Sequence, residues 1–174
     1  KIEYVAVQSF NPYTGEPATY VCAKALLNAH FNPKAADIAF EDYKPGDKLV
    51  PFKVVAEYKG TDLVGMKYEQ LLPWITPENA DQAFRVIPGD YVTTEDGTGI
   101  VHIAPTFGAD DAKVAKAAGI PPLQLIDKNG NLRPSVDLTG KFYLLSDLDD
   151  EYVKTHINVE EYKQFEGRFV KNAY

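Results

Sequence analysis

The stretch that decides the fold runs Gly97-Thr98-Gly99-Ile100-Val101-His102-Ile103-Ala104-Pro105-Thr106-Phe107-Gly108-Ala109-Asp110-Asp111. Residues 95–99, Glu-Asp-Gly-Thr-Gly, read as a tight hairpin turn, because Asp-Gly tolerates the positive φ such turns demand. They do not read as a phosphate loop. The Lys of a P-loop and the third glycine of a dinucleotide fingerprint are both missing. After the turn, residues 100–104 are expected to form a strand and residues 105–108 a sharp connection. Residues 109–118 are expected to form a helix that stops at Gly119, with Pro121 and Pro122 beyond it. Side chains alternate along a strand. Val101 and Ile103 therefore fall on one face, expected to be the core, with Ile100, His102 and Ala104 on the other.

Outward from this stretch, residues 84–87 and 91–94 look strand-like around the turn Pro88-Gly89-Asp90. Residues 123–126 read as a strand ended by Asp127-Lys128-Asn129-Gly130-Asn131. Nearer the start, residues 2–8 and 19–22 are expected to pair across the turn at residues 11–15, and a short helix should follow at 23–29. Residues 30–48 are polar and broken, a surface excursion. Residues 52–58 form the next β stretch, and a loop at 60–72 is expected to carry Tyr68 and Leu71 onto the core. The Ser146-Asp147-Leu148-Asp149 run has the spacing of a capped helix start, extending to about His156. Residues 159–174 form an exit segment with the aromatic cluster Tyr162, Phe165, Phe169 and Tyr174. The expected fold class is α+β. It is mostly antiparallel β, barrel-like or sandwiched, with a few short helices, in a single domain over residues 1–174.

Composition agrees with a packed domain. The chain has 174 residues, 45% hydrophobic and 25% charged, with 11 Tyr and 9 Phe. That rules out wholesale disorder and suits strands. No apolar run is long enough for a membrane helix, and the first residues lack the pattern of a signal peptide. An initiator Met is absent, so a piece of a longer protein is expected. Cys22 is the only cysteine, which excludes an internal disulfide and a cysteine-based zinc site. The histidines, His30, His102 and His156, share no metal-ligand spacing, and no metal is expected. A net charge of -7 argues against a long nucleic-acid interface, though not against holding one end of such a molecule.

Two residues could carry chemistry. His102 lies on the strand face opposite the expected core, where it is either an ordinary half-exposed histidine or the wall of a site. Asp110 and Asp111 open the helix at 109–118. Aspartate there caps the helix and suits its dipole. One of the pair suffices for that task, and the second could bind an ammonium group through a charge-assisted hydrogen bond. No nucleophile motif is present: Ser9, Ser135 and Ser146 lack the context of an activated serine.

The run from Gly97 to Asp111 resembles the signature of the editing domain of isoleucyl-tRNA synthetases. Gly89-Asp90-Tyr91-Val92-Thr93 and the tail Glu166-Gly167-Arg168-Phe169-Val170-Lys171-Asn172-Ala173 resemble the same family. The resemblance implies a second sieve. Its synthetase activates isoleucine but also valine, one methylene smaller, and this family is the standard example of that limit on binding discrimination. The editing domain hydrolyses mischarged Val-tRNA(Ile), and valyl-adenylate. By the resemblance Asp111 and His102 are the catalytic pair. Asp111 would bind the α-ammonium group, and His102 would line the amino-acid pocket. Ala104, Pro105, Thr106, Phe107 and Gly108 would shape the substrate site. The implied partners are the 3′ end of mischarged tRNA(Ile) and the remainder of the parent synthetase, in the cytoplasm. No cofactor is implied in this domain; ATP and magnesium would belong to the parent. The family's Thr-rich strand, the opposite wall of the site, has no match in residues 1–174. The alternatives are a non-catalytic β-rich binding module, with the aspartates as caps, or the editing domain of a valyl or leucyl synthetase.

Overall fold

Residues 1–172 are described by a computed structural model. Ala173 and Tyr174, expected at the end of the tail and in the aromatic cluster, lie outside the described residues. The chain forms two compact units. The first comprises Lys1–Met66 and Val86–His102, the second Lys67–Arg85 and Ile103–Tyr174.

The first unit is built on an antiparallel sheet in the order β2-β1-β3, from β1 (Glu3–Phe10), β2 (Pro17–Ala23) and β3 (Lys53–Lys59). The hairpin expected at the start of the chain is present, with Tyr4 opposite Ala23 and Phe10 opposite Pro17. On the other side of β1 the register slips between Ala6 and Val7, leaving Val55 as the extra residue of a bulge. As the central strand, β1 is covered on both faces. Val5 and Val7 join Cys22, Ala35 and Phe52 in one cluster. Tyr4 joins Ala23, Leu26 and Leu63 in another. The helical turn α1 (Leu27–His30) follows β2, after a tighter turn at Lys24–Leu26. The excursion at residues 30–48 is partly anchored. Ala35 is fully buried, and Phe31 and Ile38 pack on the core. A single turn, α2 (Gly60–Leu63), ends β3 and buries Leu63.

The second unit holds the larger aromatic core. Trp74 stacks on Phe165 at 3.9 Å between ring centres and meets Phe142 and Tyr162 edge-on. Leu125, Leu148 and Tyr162 are completely buried in the same cluster. The unit's regular elements are α3 (Ala109–Ala118), the two-stranded ribbon β4 (Leu125–Ile126) and β5 (Leu132–Arg133), α4 (Asp150–His156) and α5 (Val159–Tyr162), of which β4, α4 and α5 contribute to this core. The ribbon's turn is organised by Asp127. Its carboxylate accepts the backbone N–H groups of Asn129 and Asn131, each at 2.9 Å, and pairs with Arg133 at 2.8 Å. These bonds hold its pKa down at about 2. Asp149 caps α4 by accepting the Tyr152 N–H. Ser146, the expected cap, sits instead in a tight turn just before.

The α+β class and the antiparallel pairing are as expected, but no barrel closes among the described residues. The missing strands are those at 84–87, 91–94 and 100–104. Phe84 has φ of 52°, a left-handed conformation that a bulky residue in a strand avoids. Only an isolated bridge, Lys67 to Arg85, forms beside it. Residues 91–94 form no strand, so residues 100–104 have no hairpin partner. Val101, expected in the core, is 51% exposed. Tyr68 and Leu71, expected to reach the core, are 54% and 90% exposed. Their loop buries Leu63 instead. No helix among the described residues is long and apolar enough to cross a membrane.

Candidate functional site

The entrance of α3 is shaped by glycine and a carboxylate. Gly108 is the N-cap residue and offers no side-chain bond to the helix. Asp111 turns back from the first helical turn, and its Oδ2 accepts the Ala104 N–H at 2.9 Å. The Ala104 carbonyl accepts the Phe107 N–H at 3.0 Å. Thr106 Oγ1 donates to the Leu123 carbonyl at 2.9 Å, pinning the connection to the chain after the helix. A Cβ at Gly108 would stand 3.1–3.2 Å from the Asp111 carboxyl atoms, closer than ordinary contact. Glycine therefore leaves the room in which the carboxylate sits. Asp111 is half-buried, and within this unit its Oδ1 has no hydrogen-bond partner among the described residues.

Asp110 points away and pairs with Lys113 at 3.1 Å on the surface. The expected side-chain cap is thus absent, and neither aspartate accepts an N–H of its own helix. Both still place negative charge where the helix dipole favours it. The far end of α3 closes as expected: Gly119 adopts φ of 69°, and the N–H groups of Gly119 and Ile120 reach back to the carbonyls of Lys116 and Ala115. Arg85 adds a bond to the Ala118 carbonyl at 2.7 Å. No sequence signal announced it, since the two residues lie far apart in the chain.

Ala104, Pro105, Thr106, Phe107 and Gly108 form one short connection of the second unit, tied by the Ala104 bond to Asp111 in the first turn of α3. Phe107 leaves much of its ring exposed. His102 is the last residue of the first unit and is exposed.

The first unit has a cleft of about 400 Å³, within the range of small-ligand sites. Its lining includes Tyr20, Phe31, His30, Asn32, Lys48 and Thr98. Sequence reading missed it, because its walls come from segments that no local pattern connects. Cys22 also lines it, and burial pushes its thiol pKa up, favouring the unreactive form. Among the described residues no group of three His, Cys, Asp or Glu side chains could hold a metal ion.

No protein-family model matches the chain. Isoleucine–tRNA ligases match it throughout. Identity is 74% over 174 residues with the ligase of Bacteroides fragilis, covering 100% of this chain and 15% of the relative. It is 67% over 183 residues with that of Bacteroides thetaiotaomicron, covering 100% of the chain and 16% of the relative. Over its whole length the chain is similar to one segment of these ligases. With the ligase of Porphyromonas gingivalis the identity is 57% over 175 residues, again over 100% of the chain and 15% of the relative. The chain thus spans about 15% of the length of the curated relatives it matches.

Proposed function

We propose that this segment is the editing module of an isoleucyl-tRNA synthetase, hydrolysing valine mistakenly esterified to tRNA(Ile), or valyl-adenylate. The observation that carries the reading is Asp111. Its Oδ2 is fixed by the Ala104 N–H, and Oδ1 is left without a partner in its unit among the described residues. A carboxylate oriented in this way suits an α-ammonium group, and such a charge-assisted bond contributes about 1.5–3 kcal/mol. By the resemblance, His102 is assigned to the amino-acid side chain, and Ala104, Pro105, Thr106, Phe107 and Gly108 to the substrate. Isoleucine is excluded by its extra methylene.

An aminoacyl ester is already activated. Hydrolysis needs a positioned ester and an oriented water more than a protein nucleophile. That agrees with a sequence in which no activated serine was found. The acidic charge of -7 suits a module that receives only the 3′ end of a tRNA held elsewhere. The remainder of the synthetase would hold the tRNA body and would use ATP and magnesium to ligate isoleucine, in the cytoplasm.

The test is an NMR titration of the chain with a non-hydrolysable valyl-adenosine analogue, beside the isoleucyl analogue. The valyl compound alone should shift the amides of residues 104–111. Asp111→Asn should weaken it by roughly 10-fold to 150-fold, the equivalent of one charge-assisted bond. Equal responses to both analogues, or unchanged affinity in Asp111→Asn, would refute the reading.

A further inference from the structure

The Gly97-Thr98-Gly99 tripeptide is held at three successive carbonyls. The Gly97 carbonyl accepts from His30 Nε2 at 2.6 Å. A carbonyl only accepts, so Nε2 must carry the proton. The Thr98 carbonyl accepts the N–H of Ala23, the last residue of β2, at 2.8 Å. The Gly99 carbonyl accepts the buried Tyr4 hydroxyl at 2.7 Å. Burial pushes the Tyr4 pKa up, so the hydroxyl stays protonated and remains a donor. Gly99 itself has φ of 74°, and a Cβ there would meet the Ala23 Cβ at 2.6 Å. The tripeptide therefore lies directly against the sheet, fastened by a helical turn, a strand end and the central strand. All of these residues belong to the first unit, as does His102 three residues further on.

We infer that this is a three-point clamp, and that Tyr4 and His30 are positioning residues for His102. Neither touches the site. They act through the backbone of residues 97–99, fixing where residues 100–102 start and in which direction they leave. A clamp is needed because residues 100–102 are not held by a sheet: they form no strand, and Ile100 and Val101 are exposed. The inference rests on the reading of His102 as a pocket wall.

The experiment uses the whole chain with three substitutions: His30→Leu, His30→Gln and Tyr4→Phe. Leu removes the donor, Gln keeps an N–H donor, and Phe keeps the Tyr4 ring while removing its hydroxyl. Without ligand, His30→Leu and Tyr4→Phe should shift the amides of residues 97–102 and the His102 ring signals, while the amides of β3 stay in place. His30→Gln should restore them. In the valyl-analogue titration His30→Leu and Tyr4→Phe should weaken binding at least 5-fold at temperatures well below unfolding, with His30→Gln near the parent chain. Unmoved His102 signals in the Leu and Phe variants overturn the inference, as does a Gln variant that behaves like Leu. A merely structural bond would lower the melting temperature and leave both readouts unchanged. If the parent chain itself fails to prefer the valyl analogue while the ligand-free shifts appear, the pocket reading has failed, and the clamp is an anchor without a role in positioning.

Discussion

Replacing Gly99 with Ala sets two separable costs against one small gain. The first cost is conformational: φ of 74° places Ala in the left-handed region, at about 1–2 kcal/mol. The second is steric, because the new Cβ would stand 2.6 Å from the Cβ of the fully buried Ala23. Overpacking of this kind costs about 1–3 kcal/mol. Ala also restricts the unfolded chain, which offsets about 0.4–1 kcal/mol. Gly99→Ala should therefore destabilise the first unit by about 1–5 kcal/mol. Gly97 supplies the control. Its φ is 65° and nothing lies within 4 Å of its built Cβ. Gly97→Ala meets the conformational cost alone and should lose about 1 kcal/mol. A urea titration followed through the NMR signals of the β1 amides reads both variants. The overlap can be isolated by combining Gly99→Ala with Ala23→Gly. The double variant should be more stable than the sum of its parts by about 1–3 kcal/mol. If Gly99→Ala costs no more than Gly97→Ala, or the cycle shows no coupling, the close approach is not what makes position 99 a glycine.

Two further outcomes concern the second unit. The Asp127 pKa is held at about 2, below the ordinary value of 3.8. A lowered folded-state pKa gives stability that is complete above the unfolded value and is lost as pH falls through the folded one. Asp127→Asn should thus melt at a lower temperature than the parent chain at neutral pH. The gap should narrow between about pH 4 and pH 2, and a gap that is constant with pH would refute the ionic role. Tyr162 is fully buried and donates to the Tyr143 carbonyl at 2.8 Å. Tyr162→Phe should cost about 0.5–1.5 kcal/mol, read by the fluorescence of Trp74, the one tryptophan in the chain. A neutral result would mean that the carbonyl finds another donor.

The elements that sequence reading found are those whose signals are local. The helix at 109–118 is Ala-rich, opens on two aspartates and ends at a glycine in the left-handed conformation, so α3 was placed to the residue. The β1–β2 hairpin shows its alternation and its turn. What failed was the inference from composition to pairing. Residues 84–87, 91–94 and 100–104 are rich in β-formers, but a strand exists only when a partner supplies the ladder. Here Phe84 turns left-handed, and Gly97 and Gly99 both take positive φ, so the chain curls onto β2 instead of running straight into a hairpin. The barrel was expected because those strands were counted. At the site, an aspartate at the mouth of a helix was legible. Its bond to the Ala104 N–H was not, nor were the bonds from Tyr4, Ala23 and His30 to residues 97–99. Each joins a backbone group to a distant residue, and backbone groups are the same in every sequence.

Each unit is assembled from two stretches of chain, and the stretches interleave. During synthesis the three strands of the first sheet leave the ribosome together, but the tripeptide that closes over them comes later, after residues 67–85 have passed. Those intervening residues carry Trp74 and Ile75, whose neighbours Phe142, Tyr162 and Phe165 are made roughly 70–90 residues later. At about 5–20 residues per second, an indole built for a dry interior waits in the open for on the order of ten seconds. For that interval the nascent chain displays its stickiest side chain, and a chaperone that binds exposed aromatics would find its target at residue 74 rather than in the sheet already folded behind it.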